Sequence, residues 1–463
     1  MAWDMPLHGM QPSEIDQVML HPEHLRNLAV VTDLLEGLDS SSTADDLYDV
    51  QAELFRFSYR AQMAAFSIGR ALGRLKSRKQ PDWSPVTDGA PTAFALPSWH
   101  LRCDPACSDP DEWVLERRVA ERVIRQLRSV GDSLAWRVYG YDRRVLIALS
   151  RNDPPGPFVN KAGLGYELGR ITDIKRKSGN FALFHDLTSV IRVLDVTEVD
   201  AAGRRHLQEV KSGNTRSAQT KAAKQIKRAE RLLAAVEGGQ PLPDEEAATL
   251  WRATAQHRTD ARALVPLLDH AERQGFASAR IRDRIIGIVH LLTVARNAQS
   301  PQALWNVFAA RRDLLLDRHI GLQDGLHRLT ASSPDSAARD PAVAPWGIYP
   351  WPANHRAALI CDYLALQVFM SADQVAERFQ RRGCSTQMLL PVPGGVFDGT
   401  TGVISVRGEH SSMTVHGNAV YQLLMEFIDT SRFVDASLEV LRLPRSNINR
   451  TLLVYSNERA SWH

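Results

Sequence analysis

Three charged residues near one predicted hairpin have the types and spacing of a site that binds a metal ion. In the sequence LDVTEVDAAGRRHLQEVKSG, Asp195 lies on one predicted strand, and Glu209 and Lys211 lie two residues apart on the next strand. Because side chains alternate along a strand, Glu209 and Lys211 project from the same face, and pairing across the hairpin brings Asp195 to that face. We therefore expect two carboxylates and one ammonium to converge.

This combination of groups suits the hydrolysis of a phosphodiester. Two carboxylates favour a hard cation such as Mg²⁺ or Mn²⁺, which takes oxygen ligands and keeps water molecules beside a substrate phosphate. The cation lowers the pKa of a bound water, and a neighbouring ammonium orients that water or stabilises the transition state. The alternative is a cross-strand salt bridge, which an isolated Glu-x-Lys favours.

The segment RSAQTKAAKQIKRAERLLAAV, directly after the hairpin, is predicted to be an amphipathic helix that ends at Gly238-Gly239. Lys221, Lys224 and Arg228 recur at helical spacing on one face. Such a face neutralises the phosphates of nucleic acid, although a solvated basic face is the alternative. The predicted nucleic-acid contacts are Arg216, Lys221, Lys224, Lys227 and Arg228.

This order of residues resembles the PD-(D/E)xK nuclease superfamily: an Asp is followed by Glu-x-Lys across a hairpin, and then by a helix with a glutamine. More narrowly, FALFHDLTSVIRVLDVTEVD with LQEVKSG looks like nuclease-type domains of bacterial phage-defence proteins, over roughly residues 157 to 235. The resemblance implies that Asp195 and Glu209 bind the metal and that Lys211 is the catalytic lysine. It also implies that Gln225 is the glutamine of the following helix.

Other positions of the motif match less completely. His185 and Asp186 match the stretch upstream and are expected to line the site. Leu194 stands before Asp195, where the family usually has glycine, which puts the strand geometry in doubt. The helical acid that completes such a metal site is ambiguous among three candidates, Glu116, Glu121 and Glu167.

Length and composition indicate a globular protein with several cores. At 463 residues the chain has room for roughly two to four domains. No run approaches the ~20 apolar residues of a spanning helix, and the N-terminus lacks the pattern of a secretory signal. The four cysteines are too few and too scattered for a disulfide framework. We therefore expect a cytoplasmic protein with no membrane association.

The element pattern predicts an α/β protein in which a restriction-endonuclease-like mixed sheet is flanked by helices. The four predicted parts are a helical N-terminal region and linker (1–97), a nuclease-like core (98–240), a helical segment (241–330) and a smaller α/β C-terminal domain (346–463). In the core, a helix over 111–130, started by Asp109-Pro110 and followed by Gly131, precedes a hairpin formed by LAWRVYG and RVLIALS. In the C-terminal domain, the pattern predicts a helix over 354–371 and strands at VISVRG, SMTVHG, LEVLRL and TLLVYS.

These features together predict a Mg²⁺-dependent nuclease, with DNA favoured over RNA, and a role in phage defence is implied by the resemblance alone. One alternative is a catalytically inactive module of the same fold that binds nucleic acid or a protein partner. Another is a regulatory or scaffold subunit. An unrestrained nuclease would harm its host, so a regulatory protein partner or a homo-oligomer is also expected.

Overall fold

A computed structural model of the chain describes residues 17–81, 83, 98–150, 156–157, 159, 161–210, 216–240, 242–243, 249–252, 259–293, 328–333, 343–389, 401–442 and 451–454. The chain divides into two compact units. The first is drawn from residues 1–139, 149–231 and 345–347, and the second from 140–148, 232–344 and 348–463. The division into four parts stays a prediction.

The described residues mix helices with three antiparallel sheets and one two-stranded parallel sheet, which confirms the α/β class. As far as the hairpin and its following helix, the elements are α1 (Pro22–Ser40), α2 (Ala44–Lys76), α3 (Pro110–Val138), α4 (Arg143–Leu149), α5 (Leu164–Ser178), β1 (Phe181–Phe184), a 3-10 turn (His185–Leu187), β2 (Val196–Val199), β3 (Arg205–Gln208) and α6 (Arg216–Glu237). Apart from α4 and the last turns of α6, these elements belong to the first unit.

Local capping explains where the first helices begin. Thr43 and Asp46 form a capping box at the start of α2, in which each side chain accepts a hydrogen bond from the other's backbone N–H. Asp109 caps α3 by accepting from Asp111 N at 2.9 Å, and Pro110 occupies the first helical position. The helices predicted in the N-terminal region and the start predicted at Asp109-Pro110 are confirmed.

The predicted hairpin after residue 130 is wrong, because both of its strands are helical. α3 continues through Gly131 to Val138, and RVLIALS forms α4. The end of α3 is buried on all sides, with Leu134, Ala135 and Trp136 fully inaccessible. A helix inside a core has no polar face, so its apolar residues show no helical periodicity. Its sequence therefore cannot be told from that of a buried strand.

Gly131 has a packing role and does not end the helix. A Cβ atom at this position would lie 2.0 Å from the carbonyl oxygen of Leu187, in the 3-10 turn that follows β1. Only glycine allows the backbone of α3 to approach that turn so closely. The close approach fixes the position of the segment that leads into β2.

The sheet of the first unit is an antiparallel meander in the order β1-β2-β3. α5 precedes it and α6 follows it, so the element order is helix, three strands, helix. β1 is an edge strand, and Gln51 of α2 covers the edge. The Gln51 amide donates to Ala182 O at 2.8 Å and accepts from Phe184 N at 2.9 Å, which satisfies two backbone groups of the edge strand.

The described α-helices and strands of the second unit after α6 are, in chain order, β4 (Thr249–Arg252), α7 (Val265–Gln274), β5 (Phe276–Ile281), β6 (Arg284–His290), β7 (Arg328–Ser332), α8 (Ala353–Ile360), β8 (Leu364–Ser371), α9 (Ala372–Gln380), β9 (Ser385–Met388), β10 (Gly402–Arg407), β11 (Ser412–His416), α10 (Gly417–Met425), α11 (Thr430–Leu441) and β12 (Thr451–Val454). The unit is built around a four-stranded antiparallel sheet in the order β5-β6-β8-β7. The strands predicted at VISVRG, SMTVHG and TLLVYS are confirmed as β10, β11 and β12.

Two other predictions for the second unit are wrong. The helix predicted over 354–371 ends at Ile360, and residues 364–371 form β8 between β6 and β7. Every residue of β8 is buried, and a strand buried on both faces has a continuous apolar run that resembles a buried helix. LEVLRL belongs largely to α11, which is amphipathic and capped by Asp429.

We expect Gly131→Ala to destabilise the protein by at least about 1–3 kcal/mol, because the added methyl group would overlap a backbone carbonyl. The matched control is Gly69→Ala in α2, where a Cβ meets no atom within 4 Å. That change should stabilise by up to about 1 kcal/mol, because alanine favours the helix over glycine. Urea denaturation measures both, and equal effects would contradict the close approach.

Candidate active site

The open end of the β2–β3 hairpin brings Asp195 and Glu209 together. Asp195 immediately precedes β2, Glu209 immediately follows β3, and Val196 pairs with Gln208. The Asp195 N–H donates to Gln208 O at 3.1 Å, and the Val210 N–H donates to Asp195 Oδ2 at 2.8 Å. β3 ends earlier than predicted, so Glu209 follows the strand, and Lys211 lies outside the described residues.

A lysine that the sequence did not single out lies among the carboxylates. Lys161 Nζ is 2.8 Å from Glu167 Oε1 and 2.8 Å from Asp186 Oδ2, and it is 3.7 Å from Asp195 Oδ1. Lys161 precedes α5, and Glu167 lies in the first turn of α5. Asp186 lies in the 3-10 turn after β1, and Asp195 immediately precedes β2. Asp186 therefore shares the Lys161 ammonium with Glu167 and lies near Asp195.

Of the three upstream acids, Glu167 is the one that lies at Asp195. Glu116 is bound elsewhere, where it accepts from the Arg102 N–H at 2.6 Å, and Glu121 forms an exposed pair with Arg117. Glu167 is 1% exposed, and its Oε2 atom has no hydrogen-bond partner in the part of the chain that the structure describes. α5 is also tied to the hairpin, because Arg170 Nε donates to Gln208 Oε1 at 2.7 Å.

Burial and mutual repulsion set the ionisation of this cluster. Burial raises the pKa of Glu167, Lys161 lowers it in part, and the charges of Asp195 and Asp186 raise it further. Burial alone would lower the pKa of Lys161, but its hydrogen bonds to Asp186 and Glu167 outweigh this and raise it. Lys161 therefore stays charged and is the main counter-ion of the cluster.

The described residues contain one group of three possible ligand atoms within 4.8 Å of one another, and it lies elsewhere. It consists of Asp269, Glu272 and His355 in the second unit. His355 Nε2 is 2.8 Å from Asp269 Oδ1, while both acids are partly exposed. Glu167, Asp186 and Asp195 do not form such a group, and each instead has an oxygen near the Lys161 ammonium.

His185 is buried in a hydrogen-bonded chain. Its Nδ1 lies 3.1 Å from the carbonyl oxygens of Val193 and Leu194, so this nitrogen donates, and Nε2 accepts from Thr197 Oγ1 at 2.7 Å. The Tyr139 hydroxyl lies 2.7 Å from the same Oγ1 atom and donates to it. Burial lowers the pKa of His185 to about 4, so the imidazole is neutral and fixes the bend before Asp195.

Leu194 has a left-handed backbone conformation, with φ +66°. This conformation is strained for a residue with a Cβ atom and is natural for glycine. It occurs at the position where the resembled motif has glycine. The backbone geometry that favours glycine is therefore present here, although the residue is leucine.

The helix after the hairpin is present as α6, and Gly239 follows its end with φ +61°. Lys224 and Lys227 are exposed, and Arg228 is partly exposed. Gln225 is partly buried, and its Oε1 atom has no hydrogen-bond partner among the described residues. The side chains of Arg216 and Lys221 lie outside the described set, so their predicted contacts stay predictions.

No protein-family model, curated protein or solved structure matches the chain. In the described ranges, no helix is long and apolar enough to cross a membrane. The cysteines Cys103, Cys107, Cys361 and Cys384 are all free thiols.

We expect Leu194→Gly to be more stable than Leu194→Ala by about 1 kcal/mol, because both remove the side chain but only glycine relieves the left-handed strain. At an ordinary extended position the order is reversed. Chemical denaturation of the two variants measures the difference. A more stable alanine variant would contradict the backbone conformation at residue 194.

We expect buried His185 to make stability depend on pH. Its pKa is about 4 in the folded protein against 6.5 in the unfolded chain, so the unfolded state binds more protons between these values. The free energy of unfolding should therefore fall as the pH decreases from about 6.5 towards 4. His185→Gln should show a weaker decrease. Burial raises the pKa of Asp132 to about 6. Asp132 titrates in both proteins, so its contribution cancels when their free energies of unfolding are compared. Parallel curves would contradict the assignment.

Proposed function

We propose that the protein is a metal-dependent nuclease that hydrolyses nucleic-acid phosphodiester bonds, with DNA favoured over RNA. The observation that carries the proposal is the placement of buried Glu167 beside Asp195, at the hairpin end where Glu209 follows. The order of a helix, a three-stranded antiparallel meander and a second helix supports a restriction-endonuclease-like core. A role in prokaryotic phage defence rests on the resemblance alone.

The donor set fits Mg²⁺ or Mn²⁺ because it consists of carboxylates. Glu167 Oε2 is buried without a hydrogen-bond partner among the described residues, so it is available as a ligand. Asp195 and Glu209 would hold the cation, with Glu167 as the third acid. When bound, the cation supplies Lewis-acid activation of water and of the phosphate.

The other residues of the chain have separate tasks. Lys211 would orient the attacking water or stabilise charge on the phosphate, and Gln225 would assist from α6. The exposed cations Lys224 and Lys227, with Arg228, would hold the phosphate backbone, and Arg216 and Lys221 would extend that surface. The tasks match the chemistry of phosphodiester hydrolysis, which needs positioning and charge neutralisation.

We expect Asp195→Ala, Glu167→Gln and Lys211→Ala each to reduce cleavage at least about 100-fold, because each removes a metal ligand or a charge from the site. Asp173→Asn is the matched control, because Asp173 lies on α5 but pairs with Arg176 and Lys177. The assay uses single- and double-stranded DNA and RNA with Mg²⁺, Mn²⁺ or a chelator. Cleavage that persists in all three variants would refute the site.

The second candidate is an inactive module of the same fold that binds nucleic acid or a protein partner. It is favoured by the ion pairs of Lys161, which already neutralise part of the carboxylate charge without a metal. This candidate predicts no cleavage of any substrate. It also predicts metal-independent binding of nucleic acid that weakens as the salt concentration rises.

A further inference from the structure

The ammonium of Lys161 lies where three carboxylates converge. Glu167 and Asp186 each place an oxygen 2.8 Å from it, and Asp195 Oδ1 is 3.7 Å away. Lys161 is one-third exposed, whereas the Glu167 side chain is 2% exposed. The lysine therefore reaches the buried carboxylate from the solvent side and has a path back to solvent.

A divalent cation bound to Glu167 and Asp195 would compete with this ammonium. A cation that used the same oxygens would lie close to the ammonium, and repulsion between like charges is strong in a partly buried site. The same Glu167 Oε1 atom would also have to serve both cations, unless Oε2, which has no hydrogen-bond partner among the described residues, turned towards the metal. Both considerations favour movement of Lys161 when the metal binds.

Asp186 offers Lys161 a place to remain after such a movement. It is 25% exposed, and it is not among the acids assigned to the metal. An ammonium that kept only this partner would leave Glu167 and Asp195 free to close on a cation. Glu167, Asp186 and Asp195 do not form a group of ligand atoms that all lie within 4.8 Å of one another, which fits a state in which the ammonium is still bound among them.

We propose that Lys161 is a displaceable counter-ion, so that a divalent cation enters the site by taking its place between Glu167 and Asp195. The inference rests on the proposed function, because it assumes that these acids bind metal. Lys161 is thus a positioning residue that occupies the space among the carboxylates until the cation arrives. Metal binding becomes an exchange of one positive charge for two.

The test measures Mn²⁺ affinity of the full-length protein, by titration calorimetry and by the paramagnetic resonance of free Mn²⁺. All proteins carry Asp269→Asn, which removes the group of ligands in the second unit from the measurement. We expect Lys161→Met to bind Mn²⁺ about tenfold more tightly than its parent, because no ammonium has to be displaced. Lys175→Met is the matched control and should leave the affinity unchanged, because Lys175 pairs with Asp45 at 3.1 Å.

A second variant keeps the test valid if Lys161→Met does not fold without metal. Lys161→Arg retains the charge, and its planar guanidinium holds carboxylates through two parallel bonds. It should bind Mn²⁺ about threefold more weakly than the parent. Equal or tighter binding by Lys161→Arg would overturn the inference. Equal or weaker binding by a folded Lys161→Met would overturn it as well.

Asp195→Asn separates this inference from the proposed function. If it abolishes Mn²⁺ binding while Lys161→Met fails to tighten it, the metal site stands and only the exchange is wrong. If the parent and Asp195→Asn bind Mn²⁺ equally, or neither binds it, the proposed metal site fails and the exchange fails with it.

Discussion

The buried carboxylate of Glu167 is the constraint on which the arrangement of the first unit depends. A carboxylate removed from water beside two other acids requires a counter-charge, since desolvation and repulsion both favour its protonation. Lys161 supplies that charge, and it draws the start of α5, the turn after β1 and the start of β2 to one point. The need of these carboxylates for a positive charge makes the cluster suitable for a metal, and it also brings three segments of the chain together around Lys161.

The site is held in place by contacts that do not take part in its chemistry. Arg170 ties α5 to Gln208, so Glu167 and the hairpin keep a fixed relation. On the other side, Tyr139, which follows the end of α3, donates a hydrogen bond to Thr197 of β2, and Thr197 donates to buried His185. This contact requires α3 to extend to Val138, so the helical segment misread as a strand is the one that reaches the sheet.

Local signals in the sequence were sufficient for part of this structure. Asp109-Pro110 marked a helix start, and alternation with a turn at 200–204 marked the β2–β3 hairpin. Glu167 was one of three candidate acids, because helical spacing alone does not tell which helix packs beside the sheet. Lys161 had no signal at all, since a lone lysine before a helix acquires its partners only through tertiary contacts. β8 was misread because full burial removes the period on which assignment depends.

Gln51 has a consequence for association between chains. An edge strand normally offers a row of free backbone groups to which another strand can add. At β1, a side-chain amide already occupies two of these groups, and the helix that carries it lies against the strand. A strand from a second molecule could add at this edge only by expelling α2. The sheet is therefore protected on that side against the intermolecular pairing that leads to aggregation.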